Sequence, residues 1–556
     1  DRYGEVLATN RLAFTVSAVP SGISDPTGEV VRTLADILEM DAAEIDETLR
    51  KGGAYPYEPI RIKRDVPVEQ VIAVEENRSR LPGVIVEEEW VRVYPHGELA
   101  GHVIGYLGLA GPADLQAGYR PTDLVGKWGI EHAFERYLRG EEGQRRVEVN
   151  ALSRPVRDLE TIPPKPGMDV HLTIDARLQR RVEAALASGL ARIKEESEAG
   201  LAGAGAAVVL DAQTGEILAM ASYPGIDPAR LTAADRASYV AALNSDPLGP
   251  WLNRAVRAFP PGSTFKVVTG VAALEGGAIT PQTVYNATGY HKYNKRDWRI
   301  HAGLPPAGPV TIVEALGMST NDFFWEIALR PETGGVRGIA KWAREFGLGE
   351  ATGLPLAEPA EMRGLIPTPE WKWEVYGEPW YESETMDIAI GQGFLQATPV
   401  QMAQLYAAIA NRGRLVSPQL VAAVTSPSGE VVAELPEPQA RAIQASSRTW
   451  DAILSGLRHV TQWQRGTAYL AFLGAPYDPV GKTGSAQQAG TAAHGWFVGF
   501  APSARAEIVV AVFAEHGESG SQVAAIAREI FDAYFALKEE RENASVKDVA
   551  ATGAGD

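Results

Sequence analysis

A serine and a lysine stand three positions apart in the segment F-P-P-G-S-T-F-K-V-V-T-G, residues 259–270. Two prolines and Gly262 halt the chain before Ser263, and the apolar run after Lys266 predicts a helix. Ser263 would then lie at the helix N-terminus, where free N–H groups favour negative charge, and Lys266 would share its face. A buried lysine of lowered pKa can take the proton of a serine hydroxyl and make it a nucleophile. The pair therefore predicts acyl transfer, although an isolated S-x-x-K is more often a helix cap beside a solvated lysine.

Two further motifs favour catalysis over capping. S-T-N occupies Ser319 to Asn321 and K-T-G occupies Lys482 to Gly484, and each motif type occurs once in the chain. The order S-x-x-K, S-x-N, K-T-G is the signature of penicillin-binding proteins and serine β-lactamases. The three motifs together therefore predict that Ser263 is an acylated nucleophile.

The first two motifs fit the proton transfers of such a reaction. Ser263 would attack an amide carbonyl, and Lys266 would accept its proton. Ser319 and Asn321 would come from another lobe to face them. Ser319 can relay a proton to the leaving amine, while Asn321 orients the substrate amide and Lys266.

The third motif fits the binding of a substrate carboxylate. Lys482 would contribute a cation and Thr483 a hydroxyl donor. Gly484 would leave room for substrate along the strand edge. The backbone N–H groups of Ser263 and Ser485 would hold the oxyanion, and the Ser485 hydroxyl is also expected to bond the carboxylate.

The elements that must position these residues read as an α+β domain. Residues 206–222 predict a hairpin, and K-T-G-S-A-Q, H-G-W-F-V-G-F and A-E-I-V-V-A-V-F-A-E predict three successive antiparallel strands. The residues from about 230 to 460 are mostly helical in pattern. We therefore expect one antiparallel sheet with packed helices and an inserted helical lobe.

A cluster of prolines divides the chain into domains. T-I-P-P-K-P-G-M-D-V, residues 161–170, is a strong break. The sequence therefore predicts an elongated mixed α/β pedestal over residues 1–165 and a catalytic domain over residues 166–540. Residues 541–556 lack a hydrophobic period and are expected to form a disordered tail.

The composition excludes several classes of function. The net charge of −18 argues against a nucleic-acid partner and against docking on anionic lipid. The absence of cysteine excludes thiol catalysis, disulfides and thiolate metal sites. No apolar run of about 18 residues is present, so no membrane span is predicted. Because the chain begins at Asp1, we expect it to be a processed or truncated product.

At these motifs the chain resembles a class B penicillin-binding protein, a peptidoglycan D,D-transpeptidase. The similarity extends to D-R-Y-G-E-V-L-A-T-N-R at the start, to Y-P-H-G-E-L-A-G-H-V-I-G-Y at residues 94–106 and to I-G-Q-G-F-L-Q-A-T-P-V-Q at residues 390–401. S-T-N-D-F-F-W and I-G-Q-G are more similar to the elongation type, penicillin-binding protein 2, than to the septal type. The resemblance implies that the pedestal would be the family's non-catalytic, dimerisation-like domain.

The resemblance implies a function and a location. The substrates would be D-Ala-D-Ala stem peptides, cross-linked during cell-wall elongation, and β-lactams would inhibit the reaction. A SEDS-family rod-shape glycosyltransferase would be the partner. A single N-terminal membrane helix, missing from this chain, would hold the catalytic body on the periplasmic or extracytoplasmic side of the cell membrane. No cofactor is implied.

The sequence departs from the family at a metal site. Some relatives of this subtype hold zinc near the S-x-N motif and carry a cysteine inside that motif, where this chain has Thr320. Asp297 and His301 are the nearby ligand types, and two ligands do not close a tetrahedral site. We therefore expect no metal.

Other functions stay open. A D,D-carboxypeptidase or a β-lactamase forms the same acyl-enzyme but resolves it with water. Fast β-lactam hydrolysis needs a dedicated deacylating carboxylate, and the sequence identifies none. From another class, the chain could be a regulatory subunit that activates a glycosyltransferase through its first domain, with catalysis secondary.

Overall fold

The computed structural model of the protein describes most of the chain and groups it into two compact units by close contact. The described residues are 1–23, 28–51, 59–121, 123–149, 155–197, 200–233, 235–356, 361–433, 440–488 and 490–552. The larger unit comprises residues 1–5, 97–139 and 167–556, and the smaller unit comprises residues 6–96 and 140–166. Residues 97–139 thus group with the larger unit, while the linear boundary near residue 165 stays a prediction.

The described residues form both strands and α-helices. The strands within the described residues are β1 (Thr9–Ala18), β2 (Ile60–Val66), β3 (Val84–Val93), β4 (Leu107–Leu109), β5 (Leu124–Gly126), β6 (Gln144–Val149), β7 (Pro155–Ile162), β8 (Asp169–Leu172), β9 (Ala204–Asp211), β10 (Ile217–Tyr223), β11 (Tyr285–Ala287), β12 (Gly308–Val310), β13 (Arg414–Val416), β14 (Val421–Thr425), β15 (Val431–Ala433), β16 (Ala440–Ala442), β17 (Val480–Gln488), β18 (Thr491–Ala501) and β19 (Ile508–Glu515). The α-helices are α1 (Glu29–Leu38), α2 (Ala42–Lys51), α3 (Val68–Glu76), α4 (Gly101–Ile104), α5 (Pro112–Gln116), α6 (Gly129–Ala133), α7 (Glu135–Leu138), α8 (Ala176–Glu196), α9 (Arg236–Ser245), α10 (Lys266–Glu275), α11 (Trp298–His301), α12 (Ile312–Met318), α13 (Asn321–Leu329), α14 (Gly335–Glu345), α15 (Pro369–Tyr376), α16 (Glu382–Ala389), α17 (Pro399–Ala410), α18 (Ser447–Gln462), α19 (Tyr469–Phe472) and α20 (Gly520–Thr552). Among these helices, none has both the length and the apolar character needed to cross a membrane.

The smaller unit is built on a three-stranded antiparallel sheet in which β1 lies between β2 and β3. Val16 of β1 is fully buried and shares a hydrophobic core with Leu34 of α1, Ile45 of α2 and Val71 of α3. Three helices therefore cover one face of the sheet, as an amphipathic helix requires.

The larger unit contains a five-stranded antiparallel sheet in the order β10-β9-β19-β18-β17. The hairpin β9–β10 and the meander β17–β18–β19 confirm the two groups of strands that the sequence predicts. The groups join where β9 pairs with β19, with Val209 opposite Val510. The α+β fold class is confirmed, and β17, which carries K-T-G, forms one edge of the sheet.

Helices cover both faces of this sheet. Leu186 of α8 and Ile526 of α20 pack in one core with Val209 and Val512 of the sheet. The other face contacts α17, a helix whose residues are buried from its first position to Ile409. Its two glutamines, Gln401 and Gln404, donate to backbone carbonyls, so α17 can lie buried on all sides.

Two segments differ from the sequence prediction. The sequence of residues 126–140 predicts one amphipathic helix that ends at a glycine, whereas the structure takes Gly126 into β5 and forms two short helices, α6 and α7, with Phe134 between them. The disordered tail predicted from residue 541 is incorrect as far as Thr552, because α20 continues to that residue. A helix already packed on the sheet extends at little cost, since each added residue gains a backbone hydrogen bond. Residues 553–556 lie outside the described part of the chain.

Candidate active site

All three motifs meet at one cleft of about 670 Å³ in the larger unit. Its walls include predicted residues from each motif: Ser263, Ser319, Asn321, Thr483 and Ser485. Lys266 and Lys482 are 0% exposed and reach the lining residues from buried positions. Gly484 lies on β17 between the lining residues Thr483 and Ser485. The eight residues predicted from the sequence therefore come together.

Ser263 lies on a tight turn held from several sides. A 3-10 turn, Gly262–Phe265, leads directly into α10. Gly262 has a φ of +55°, which favours glycine, and its N–H donates to the carbonyl of Gly391 at 2.9 Å. The indole N–H of Trp496 donates to the carbonyl of Pro260 at 2.9 Å. These contacts fix the turn and leave Ser263 half-buried at the wall of the cleft.

The amine of Lys266 faces the S-x-N motif. Its Nζ donates to the carbonyl of Ser319 at 2.7 Å and to Oδ1 of Asn321 at 2.6 Å, and it lies 3.3 Å from Oγ of Ser319. Among the described residues, the Ser263 hydroxyl makes no hydrogen bond, and catalytic hydrogen bonds often form only when substrate is bound. Burial lowers the pKa of Lys266 to about 7, against the opposing charges of Asp297 and Asp322. A lysine of that pKa can be a base near neutral pH.

Ser319 joins the two buried lysines. It ends α12 with a left-handed φ of +56°, a conformation that costs energy for a residue other than glycine and that recurs at functional sites. Nζ of Lys482 donates to Oγ of Ser319 at 2.8 Å and to the carbonyl of Thr483 at 2.9 Å. Burial, reinforced by the charge of Lys266, lowers the pKa of Lys482 well below its usual range. Ser319 Oγ therefore lies between two amines whose protons are held weakly.

The edge of β17 presents backbone groups to the cleft. The carbonyl of Ser485 accepts a hydrogen bond from Nε2 of Gln392 at 3.1 Å, so it points away from the sheet. The N–H of a strand residue points to the same side as its carbonyl, so the Ser485 N–H also faces this edge. The Ser485 hydroxyl accepts from the N–H of Gly520 at 3.2 Å, and the Thr483 hydroxyl bonds that of Thr467 at 2.6 Å.

Gly484 allows β17 to approach the nucleophile turn. A Cβ at this position would lie 2.8 Å from the carbonyl oxygen of Pro261 and 3.0 Å from Cγ2 of Thr264. The first distance is shorter than real Cβ contacts allow and involves backbone, which cannot simply rotate away. The space left by the missing side chain is therefore filled by the turn that carries Ser263.

Replacing Gly484 with alanine is expected to push β17 away from this turn. We expect a loss of about 1–3 kcal/mol in the free energy of unfolding, as for other overpacked sites, and slower acylation, both measured on the purified variant by denaturant titration and by penicillin labelling. Gly111→Ala is the matched control, because a Cβ there meets nothing closer than 3.7 Å. Equal stability of the two variants would refute the close approach.

Four residues without a predicted catalytic role support the site. Asp297 accepts from the N–H of Asn321 at 2.5 Å. The indole of Trp298 donates to the carbonyl of Ser319 at 3.2 Å. Gln392 and Thr467 form hydrogen bonds with β17, as described above. Asp297 also caps α11 by accepting from the N–H of Arg299. An aspartate before a short helix is a sequence signal for such a cap, whereas the contacts of the other three have no local signal.

The zinc ligands of some relatives have no equivalent set here. Both carboxylate oxygens of Asp297 already accept backbone N–H groups. His301 lines the cleft, but within the described ranges no group of three or more His, Asp or Glu side chains could hold a metal ion. The residues present do not fit the zinc site, and no step of the reaction is derived through a metal.

Replacing Asp297 with asparagine is expected to shift the pH dependence of acylation. The carboxylate favours the charged form of Lys266, so its removal lowers the pKa of that lysine further. We expect the midpoint of the pH–rate profile to move to lower pH by about one unit, measured from penicillin acylation rates between pH 5 and 9. Asp235→Asn, at the exposed position just before α9, should leave the midpoint unchanged. A shift to higher pH would contradict the assignment of Lys266 as the titrating base.

Comparison with protein-family models covers nearly the whole chain. A model described as the penicillin binding protein transpeptidase domain matches residues 205–532, and one described as the penicillin-binding protein dimerisation domain matches residues 1–172. The chain is 31% identical to the peptidoglycan D,D-transpeptidase MrdA of Escherichia coli K12, over 96% of this chain and 85% of that protein.

Solved structures show the same architecture. One similar chain is in a complex of penicillin-binding protein PBP2 with MreC from Helicobacter pylori, with a TM-score of 0.81, 26% identity and coverage of 97% of this chain and 96% of that chain. Another is from a study of the coordination of polymerization and crosslinking by a peptidoglycan synthase complex, with a TM-score of 0.76, 35% identity and coverage of 97% and 89%.

Proposed function

The chain belongs to the class B penicillin-binding proteins of the elongation type, and from that membership we propose that Ser263 is the nucleophile of its reaction. The protein is a serine-type peptidoglycan D,D-transpeptidase that acts in cell-wall elongation. One observation carries the assignment of roles: Ser319 Oγ lies 2.8 Å from Nζ of Lys482 and 3.3 Å from Nζ of Lys266, in the cleft that Ser263 lines. A continuous route for a proton therefore runs beside the nucleophile.

Acylation begins when Ser263 Oγ attacks the carbonyl of the penultimate D-alanine of the donor peptide. The hydroxyl proton passes to the neutral amine of Lys266, and Ser319 delivers a proton to the amine of the departing terminal D-alanine as the C–N bond breaks. The N–H groups of Ser263 and Ser485 hold the oxyanion. Asn321, bonded to Lys266, orients the amine and the substrate amide.

The terminal carboxylate of the donor fits the K-T-G strand. Lys482 and Thr483 would meet this carboxylate, and Gly484 lets the strand lie close to the nucleophile. A carboxylate next to a buried amine favours the charged form of that amine, so donor binding would raise the lowered pKa of Lys482.

Transfer rather than hydrolysis resolves the acyl-enzyme in this proposal. Two carboxylates line the cleft, and both are engaged: Asp387 pairs with Lys295 at 2.5 Å, and Glu518 accepts from the hydroxyl of Ser197. Among the lining residues that the structure describes, no unengaged carboxylate can activate a water for deacylation. An acceptor amine from a second stem peptide attacks the acyl carbon instead, and the proton route runs in reverse.

The test is a product analysis with a D-Ala-D-Ala stem peptide and an acceptor amine. We expect release of one D-alanine for each new amide bond, detected by mass spectrometry, and loss of both products after penicillin treatment. D-Alanine release without amide formation would indicate a D,D-carboxypeptidase. Rapid conversion of penicillin to its hydrolysed acid would indicate a β-lactamase.

We also propose a membrane-bound assembly for this enzyme. Relatives form complexes, one with MreC and one in a peptidoglycan synthase complex, which supports a SEDS-family glycosyltransferase as the partner that supplies glycan. The pedestal, residues 1–165, would be the partner-binding domain, and an N-terminal membrane helix would place the body at the extracytoplasmic face. Co-purification of the full-length protein with that glycosyltransferase, lost when the pedestal is deleted, tests this. Retention of the complex without the pedestal would overturn it.

A further inference from the structure

A hairpin-like loop carries cationic side chains to the cleft. Tyr290 and Arg296 pair across it, and the N–H of His291 donates to the carbonyl of Lys295 at 3.0 Å. Its turn passes through Tyr293, which has a left-handed φ of +58°. Non-glycine residues occupy that region only at a cost, so the fold holds this loop in a defined shape.

The loop is also fixed to its surroundings. The N–H of Asp297 donates to the carbonyl of Gly289 at 2.8 Å, and the N–H of Gly289 donates to Oδ2 of Asp322 in α13 at 2.8 Å. Lys295 forms its ion pair with Asp387 of α16. Strained backbone maintained by many contacts is typical of ligand-binding sites.

One cation in the cleft has no ion-pair partner among the described residues. The ionisable side chains that line the cleft are Lys295, Arg296, His301, Asp387 and Glu518. Lys295 pairs with Asp387 and Glu518 accepts from the hydroxyl of Ser197, whereas Arg296 is exposed and its guanidinium makes no hydrogen bond or ion pair with any described residue. In a protein of net charge −18, a free arginine at a substrate cleft is a local site for an anion.

We propose that Arg296 binds a second carboxylate of the donor stem peptide, distinct from the terminal carboxylate that Lys482 and Thr483 would hold. This rests on the proposed function and specifies its substrate. The planar guanidinium can bind a carboxylate through two parallel N–H···O bonds. Arg296 would thereby select stem peptides that carry a free acid and disfavour their amidated forms.

Two carboxylates of a stem peptide have the required chemistry. A glutamate linked through its side chain leaves its α-carboxylate free at the second position. A third residue with an amino acid group at the end of its side chain carries another. Both become neutral when amidated, so peptides amidated at one position or the other distinguish the two sources.

The experiment measures how well each peptide competes with penicillin for Ser263. Four synthetic pentapeptides ending in D-Ala-D-Ala are used: free acid at both positions, amide at the second, amide at the third and amide at both. For the wild type, we expect the free acid to compete about tenfold better than the diamide. For Arg296→Gln, we expect about a tenfold loss for the free acid and less than a twofold change for the diamide. Arg296→Lys should lie between them.

Matched controls separate binding from folding. Arg337→Gln removes an exposed arginine of α14 that pairs with Glu370 outside the cleft, and it should leave all four values unchanged. Penicillin acylation without peptide is measured for every variant, so that each competition value is expressed relative to that variant's own acylation rate.

Each outcome decides the question. If amidation at one position alone abolishes the effect of Arg296→Gln, the carboxylate at that position is the one that Arg296 binds. An equal loss for all four peptides, or no loss for any, would overturn the assignment while leaving the proposed function intact. If no peptide competes with penicillin in the wild type, the proposed stem-peptide substrate fails together with this inference.

Discussion

Ser263→Ala is expected to abolish the covalent adduct that the wild-type protein forms with penicillin. The wild type should gain the mass of one penicillin on one residue, because Ser263 lines the cleft beside the proton route of Lys266 and Ser319. Cross-linking should fall by about 10⁶-fold, the loss typical of removing the nucleophile of a serine hydrolase. Intact-protein mass spectrometry before and after penicillin treatment measures the first effect, and amide formation measures the second.

The control is a serine outside the cleft. Ser245→Ala removes an exposed hydroxyl at the end of α9 that bonds only within its helix, and the variant should label like the wild type. Peptide mapping should place the adduct at Ser263. An adduct that persists in Ser263→Ala, for example on Ser319, would show that the nucleophile has been assigned to the wrong residue.

Lys266→Met is expected to slow acylation by about 10²- to 10⁴-fold, the usual contribution of a positioned general base. In the wild type, burial lowers the pKa of Lys266 to about 7. The neutral amine is the form that accepts a proton, so the acylation rate should rise with pH and level off above about 7. Below the midpoint the rate should fall about tenfold per pH unit, since that is how the neutral fraction falls.

At low penicillin concentration, the pH dependence of the acylation rate reports the pKa values of the free enzyme, and therefore the pKa of Lys266. The pH dependence should disappear in Lys266→Met, because the titrating group is gone. Lys341→Met, which removes an exposed lysine of α14, should retain both rate and profile. A wild-type profile that is flat between pH 5 and 8 would contradict the assignment of Lys266 as the base.

The sequence identifies residues that meet at one cleft because the spacing within each motif is local. Ser263 and Lys266 lie within one turn, and a halt of prolines and glycine before an apolar run predicts a helix start from neighbouring residues alone. The other two motifs have fixed internal spacing. What the sequence cannot supply is the distance between motifs, because Ser319 reaches Lys482 only through the fold.

The contacts that support the site cannot be predicted from the sequence either, because they also depend on the fold. The bond from Gln392 to Ser485 joins a loop after α16 to the edge strand, and neither residue has a neighbour in sequence that would reveal it. The sequence presents Asp297 only as a possible metal ligand, whereas in the structure it accepts from the N–H of Asn321 at the start of α13. Long-range hydrogen bonds depend on tertiary packing, which hydrophobic periodicity does not encode.

The same limit applies to the fold. Alternating and apolar runs identify β9, β10 and the last three strands, so the sheet was predictable as a set of hairpins. The pairing of β9 with β19 was not encoded in any local pattern. The inclusion of Gly126 in a strand likewise follows from the pairing of β5 with β4.

The position of β19 between β9 and β18 has a consequence for how the molecule folds. Val209 pairs with Val510, which lies far away in the sequence. Such pairing raises the contact order, and folding is therefore expected to be slow. A nascent chain that has not yet emerged past residue 515 leaves one edge of β9 unpaired and α17 without part of its sheet. We therefore expect the turn that carries Ser263, which Trp496 holds through the carbonyl of Pro260, to reach its final position only after the C-terminal strands have paired.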